Sequence, residues 1–105
     1  SNEMRQRISL SISCRNLKDL DSFSKSDPYV EVYIRLRAEK NWTFLGKTEV
    51  LINNLNPDFA TTIEADYCFE REQLLRFMVY DQDNNGKKDF IGRCETSVGK
   101  VFGSQ

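Results

Sequence analysis

Strict two-residue alternation restricts this chain to sheet structure. In residues 7–14, RISLSISC, Ile8, Leu10, Ile12 and Cys14 share one side and Ser9, Ser11 and Ser13 the other. In residues 29–37, YVEVYIRLR, Val30, Val32, Ile34 and Leu36 turn inward while Tyr29, Glu31, Tyr33 and Arg35 face out. Successive side chains of a strand point to opposite faces, so each segment reads as a half-buried strand. The same period places Ile63, Ala65, Tyr67 and Phe69 on one side of TTIEADYCFE, and Leu75, Phe77 and Val79 on one side of LLRFMVYD. WTFLGKTEVLI reads as one or two strands interrupted by a bulge near Gly46, and FIGRCETSV as a last strand. No segment sustains a 3.6-residue period, which excludes a helical fold.

Between these runs lie turn formers. RNLKDLDSFSKSDP, NNLNPDF and the polar stretches at 38–41 and 71–73 are rich in Asn, Asp, Ser, Pro and charge. About seven short strands separated by turn signals argue for an all-β, antiparallel sandwich. The length of 105 residues, 39% hydrophobic, suits one domain with one core. Ser1, Asn2 and Glu3 read as an expression scar ahead of a start near Met4, leaving residues 4–105 as the domain.

A net charge of -1 lacks the basic excess of a nucleic-acid binder. The three cysteines, Cys14, Cys68 and Cys94, form no CxxC pair, and the absence of histidine removes the usual zinc partners. They read as buried, reduced thiols of a cytosolic protein. No run of about 18 apolar residues occurs, and the first residues lack the apolar core of a signal peptide. Without histidine, a nucleophile-elbow serine or a phosphate-binding glycine loop, the chain carries no catalytic constellation, and it is not expected to be an enzyme.

The chemistry concentrates in residues 81–89, DQDNNGKKD, where Asp81, Asp83 and Asp89 share one loop. At ~4 Å and an effective dielectric of ~20, each like-charged pair costs on the order of 4 kcal/mol, so a cation is expected there. The pattern D-x-D-x-N-G matches the first half of an EF-hand loop, but the bidentate glutamate such a loop needs falls on Gly92, and both flanks have strand periodicity. Hard oxygen donors on a flexible loop suit calcium, which takes roughly 6 to 8 of them. One loop cannot supply that many. Connections of an antiparallel sandwich alternate between its ends, so the loop after the first strand can share this end and add Asp21 and Asp27. The five aspartates could bridge two or three ions, with the backbone carbonyls of Leu20 and Gln82 and water completing the shells.

Quoted in order, LDSFSKSDPYVEV, LNPDF and VYDQDNNGKKDFIG resemble the signature loops of a C2 domain. SKSDP, KTEVLINNLNP, ADYCFEREQLLRFMVYD and DFIGRCETSVGKV resemble the first, N-terminal C2 domain of the copines across nearly the whole chain. The resemblance implies an eight-stranded Greek-key sandwich in the copine-like circular order. The eighth strand would follow Gln105, so a truncated domain with an open sheet edge is expected.

It also implies that Asp21, Asp27, Asp81, Asp83 and Asp89 hold two Ca2+ ions. Gly86 stands where a serine side chain can support a third, and weakens the case for it. The function implied is calcium-dependent docking to anionic phospholipid membranes, with phosphatidylserine as the expected lipid. Phe23 would insert from the first loop, and Lys25, Lys87 and Lys88 would meet headgroups once calcium reverses the local charge. The protein would be cytoplasmic, recruited peripherally when calcium rises. In copines a second C2 domain and a von Willebrand A-like domain follow.

Two further readings stand beside this one. The outward residues Tyr33, Arg35, Lys40, Trp42 and Lys47 read as a solvated strand face or as a basic aromatic groove. A calcium-independent protein-interaction module is the alternative function.

Overall fold

The computed structural model describes residues 4–20 and 25–103. Six strands and one short helix occur among them: β1 Arg5–Leu10, β2 Pro28–Leu36, β3 Thr43–Lys47, β4 Ile63–Cys68, β5 Gln73–Gln82, β6 Lys88–Ser97 and α1 Val98–Gly103. All pairings are antiparallel, and the strands form a two-stranded sheet, β1-β4, and a four-stranded sheet, β3-β2-β5-β6. This is the all-β sandwich that the alternation predicts. The predicted first strand is shorter than its pattern: β1 stops at Leu10, and only an isolated bridge from Ser13 to Asp58 continues it.

Leu10, Val30, Val32, Phe59, Ile63, Leu75 and Val98 form the core between the sheets. Val30, Val32 and Leu75 are fully buried, as their inward positions require. Phe59 enters this core from a loop. That loop is fixed by the Phe59 amide donating to the Ile12 carbonyl (3.1 Å) and the Cys14 amide donating to Pro57 (2.9 Å). Arg15 clamps the same turn, donating to the carbonyl of Cys14 and to the carboxylate of Asp58, both at 2.7 Å.

Two outward or inward assignments and the extent of one strand change. Of the three cysteines expected to be buried only Cys68 is, with Cys94 exposed on the outermost strand β6. Tyr29, expected to face solvent, is only 6% exposed. The Tyr80 ring lies 5.8 Å from its own, and the Lys47 ammonium sits 6.0 Å above it. Long neighbours on the outer face cover it, which alternation cannot register. Phe69, expected inward, lies beyond the end of β4 and is 50% exposed. The segment after Lys47 does not continue as a strand. Thr48 exchanges hydrogen bonds with Val30, its amide donating to the carbonyl and its Oγ1 accepting from the amide, both at 2.9 Å. This side-chain pairing replaces a regular ladder.

The expected bulge is present. Val32 pairs with Gly46 and Tyr33 with Phe44, which leaves Leu45 as the extra residue. A Cβ on Gly46 would stand 3.3 Å from the Ile63 side chain, so glycine permits the close approach of β3 to β4. The unexpected helix α1 is six residues long, too short for a periodic signal. It begins where Ser97 Oγ accepts a hydrogen bond from the Lys100 amide (3.1 Å), and it buries Val98.

Among the described residues β1 pairs along one edge only. A cleft of about 420 Å³ is lined by Ile8 and Leu10 of β1 together with Ile12, Phe77, Val101 and Phe102. No helix among the described residues is long and apolar enough to cross a membrane.

Glu49 organises the irregular segment after β3. Its carboxylate accepts hydrogen bonds from the amides of Ala60 (2.6 Å) and Thr61 (3.1 Å). The Ala60 bond above all holds its pKa down to about 2. A carboxylate whose pKa is lower when folded stabilises the fold above its unfolded pKa and loses that contribution as pH falls through the folded value. The Glu49 contribution is therefore expected to be complete above about 4.5 and to fade toward about 2. Thermal melts of the native chain and Glu49→Gln should differ at pH 6 and converge at low pH.

Candidate functional site

β5 and β6 form a hairpin whose register decides where its carboxylates lie. From Leu75 with Thr96 through Phe77 with Cys94 the pairing is regular, and it would place Phe90 opposite Asp81. A shift between Val79 and Tyr80 leaves Ile91 as the extra residue, so Asp89 stands opposite Asp81 instead. Directly opposed residues of an antiparallel pair have Cα atoms about 4.5–5.5 Å apart. The bulge therefore brings two acidic residues together at the end of the sheet.

The hairpin tip is built around Asp83. Its Oδ1 accepts from the amides of Asn85 (3.0 Å) and Lys87 (2.9 Å), an Asx turn closed further by the Asp83 amide donating to the Lys87 carbonyl (2.9 Å). Gly86 supplies the left-handed residue the turn requires, with φ 76°. One Asp83 oxygen is thus engaged by its own turn.

The loop before β2 joins the hairpin through Asp27. Its amide donates to Asp81 Oδ1 (2.8 Å), and its carbonyl accepts from the Gln82 amide (3.0 Å). Its carboxylate Oδ1 accepts from the amide of Asn53 (2.8 Å), a residue in the left-handed region at φ 52°. Ser26, fully buried, ties the stems of this loop: its Oγ accepts from the Leu20 amide (3.1 Å) and donates to the Lys18 carbonyl (3.3 Å). Leu20 and Gln82, expected to offer carbonyls, are both fixed through their amides.

Asp27, Asp81, Asp83 and Asp89 thus lie at one end of the four-stranded sheet, with Asp81 0% exposed and Asp89 open to solvent. Asp21 and Phe23 lie outside the described residues. Among the described residues no three carboxylates or thiols converge closely enough to hold a metal ion. The donor set is nonetheless all oxygen, and Asp27, Asp81 and Asp83 each direct one carboxylate oxygen to a backbone amide. In chemistry these residues fit a hard cation such as calcium rather than a softer metal.

Lys25 and Lys87 are exposed at this end. Lys88 is placed differently. Its ammonium lies on the outer face of the sheet, 3.2 Å from Glu31 Oε2 and 4.2 Å from the centre of the Tyr80 ring. Hydrogen bonding to Glu31 raises its pKa above the ordinary lysine value.

The outer face is largely self-paired. The guanidinium groups of Arg35 and Arg76 lie over the Trp42 ring, 4.9 Å and 4.3 Å from its centre. Arg35 also donates to the carbonyls of Leu36, Arg37 and Glu39, and Arg76 pairs with Glu95 at 2.7 Å. Tyr33 donates its hydroxyl proton to Glu31 (2.8 Å) and packs edge-on against Phe44. These contacts describe a stacked, charge-balanced surface more than an open basic groove. Ser26, Asn53 and Arg76 escaped the sequence reading. The run SKSDP contains Ser26, but nothing in it marks a serine as buried.

Fold and site together define a C2 domain. The sequence profile described as "C2 domain" matches residues 8–105, and the chain belongs to that family. Within it the chain is similar to copines. It is 43% identical over 101 residues to Copine-E and 45% identical over 96 residues to Copine-A, both of Dictyostelium discoideum, with 91% of this chain covered in each case. It spans only 17% and 16% of those two proteins. Among solved structures, human GIVD cytosolic phospholipase A2 superposes on 93% of this chain and 13% of its own with a TM-score of 0.73. At 20% identity that likeness shows the fold alone.

Proposed function

We propose that this domain docks to anionic phospholipid membranes when calcium fills its acidic end, and that it is not itself catalytic. The observation that carries this reading is the junction of the two loops: the Asp27 amide on the Asp81 carboxylate, with Asp89 held opposite Asp81 by the Ile91 bulge. Asp27, Asp81, Asp83, Asp89 and Asp21 would hold the ions, two in number. A bound ion would supply the positive charge that turns this end from repelling an anionic surface to attracting one.

The side chains do the rest. With the carboxylates neutralised, Lys25 and Lys87, exposed at the same end, face phosphatidylserine headgroups, and Phe23 enters between them. Lys88 contributes only if it leaves Glu31. A protein carrying this module would be cytoplasmic and move to membranes on a calcium rise. Such docking is electrostatic, so it weakens with salt. Co-sedimentation with phosphatidylserine vesicles should need calcium and be reversed by a chelator. Equal sedimentation with and without calcium would overturn the reading.

The alternative, a calcium-independent protein-interaction module, has its own supporting observation. Phe44 and Phe90, on the outer face at opposite edges of the four-stranded sheet, are 52% and 53% exposed and pack edge-on against Tyr33 and Tyr80. Exposed aromatic side chains are favoured at protein interfaces. Calcium-independent capture of a protein through this face, abolished by Phe44→Ala with Phe90→Ala, would favour it.

A further inference from the structure

Lys88 and Asp89 are sequence neighbours on β6 with opposite destinations. Asp89 stands opposite Asp81 at the acidic end, whereas Lys88, opposite Gln82, sends its ammonium across the outer face to Glu31. A lysine has four methylenes and a compact charge, so an unrestrained Lys88 could reach over the end of the strand to the carboxylates beside it. There it would neutralise them internally and compete with any external cation.

Glu31 is built to prevent this. Its side chain is 12% exposed, far more fixed than a surface glutamate. It sits in the middle of β2, paired with Met78 of β5 and Lys47 of β3. Tyr33 donates to Glu31 Oε1 at 2.8 Å, and the Lys88 ammonium lies 3.4 Å from the same oxygen and 3.2 Å from Oε2. The Tyr80 ring, 4.2 Å from the ammonium and itself packed between Tyr29 and Phe90, adds a second hold. An outward strand position does not need a half-buried carboxylate for packing, so the arrangement calls for a role.

We infer that Glu31 is a positioning residue: it holds Lys88 on the outer face and so keeps the acidic end free for an external cation. The inference rests on the calcium reading above and adds a residue outside both loops to it. Removing Glu31 acts in two ways. It deletes one negative charge, a long-range effect that does not depend on Lys88, and it releases Lys88, an effect that does. A double-mutant cycle separates them.

The test titrates calcium into the 105-residue chain and into Glu31→Gln, Lys88→Gln and the double variant. Glu31→Gln should weaken calcium binding at least about 5-fold when Lys88 is present, a coupling of ordinary allosteric size, and less than about 2-fold in the Lys88→Gln background. Equal losses in both backgrounds would overturn the inference, since Glu31 would then act as a bare charge. A second readout needs no cation. In the calcium-free native chain the Lys88 side-chain protons should show upfield ring-current shifts from Tyr80, and Glu31→Gln should abolish them. Shifts that persist in Glu31→Gln would equally overturn it. If the native chain binds no calcium at all, the calcium reading itself falls, and this inference with it.

Discussion

Replacing Asp81 and Asp83 together by asparagine is expected to abolish calcium-dependent sedimentation with phosphatidylserine vesicles, with calcium affinity reduced by at least about 100-fold. The number of charged ligands sets the affinity of an oxygen site over many orders of magnitude, and this change removes two charges at once. The fold should survive it. Asparagine keeps a carbonyl oxygen of the same reach, so the Asp27 amide can still donate at position 81, and the amides of Asn85 and Lys87 can still donate at position 83. A melting temperature within a few degrees of native in the absence of calcium would separate loss of ligand charge from loss of structure. Undiminished vesicle binding by this variant would transfer the function to another surface.

The largest effect on stability is expected at Leu75. It is fully buried in β5, opposite Ile34 on one side and Thr96 on the other, within the cluster that includes Val30, Val32 and Val98. Leu75→Ala should cost about 2–5 kcal/mol, from lost transfer energy plus the cavity left behind. A domain of this size has only about 5–15 kcal/mol in total, so the change removes a large share. Denaturant titration should show a lower midpoint with an unchanged slope. Ile52, 74% exposed, is the matched control, and Ile52→Ala should shift stability by less than about 0.5 kcal/mol.

Alternation made the sandwich legible because burial of one face imposes a period of two on β2, β4 and β5. The acidic loops were legible for a different reason: carboxylates crowded in turns point to a cation whatever the fold. What stayed hidden depends on register and reach. Nothing in FIGRC marks Ile91 as the extra residue, yet that residue decides whether Asp89 or Phe90 faces Asp81. Lys88, expected beside lipid because it follows Lys87 in the chain, has its ammonium paired with Glu31, 57 residues away, a partnership that only the pleat and register reveal. Tyr29 looked exposed because covering by Tyr80 and Lys47 is a long-range event. Asp21 and Phe23, both central to the expected site, lie outside the described residues, and their roles rest on the family resemblance.

The central claim is that the two acidic loops form one calcium site. Its most direct measurement is the change in backbone amide NMR signals as calcium is added to the chain. The account predicts saturable shifts concentrated at Asp27, Gln82, Asp83, Asn85 and Lys87, whose amides form the hydrogen bonds that join and shape the loops. Signals from the far end of the sheet, such as Leu36 and Gln73, should stay still. No saturable change, or shifts scattered over the acidic surface without focus on these two loops, would contradict it.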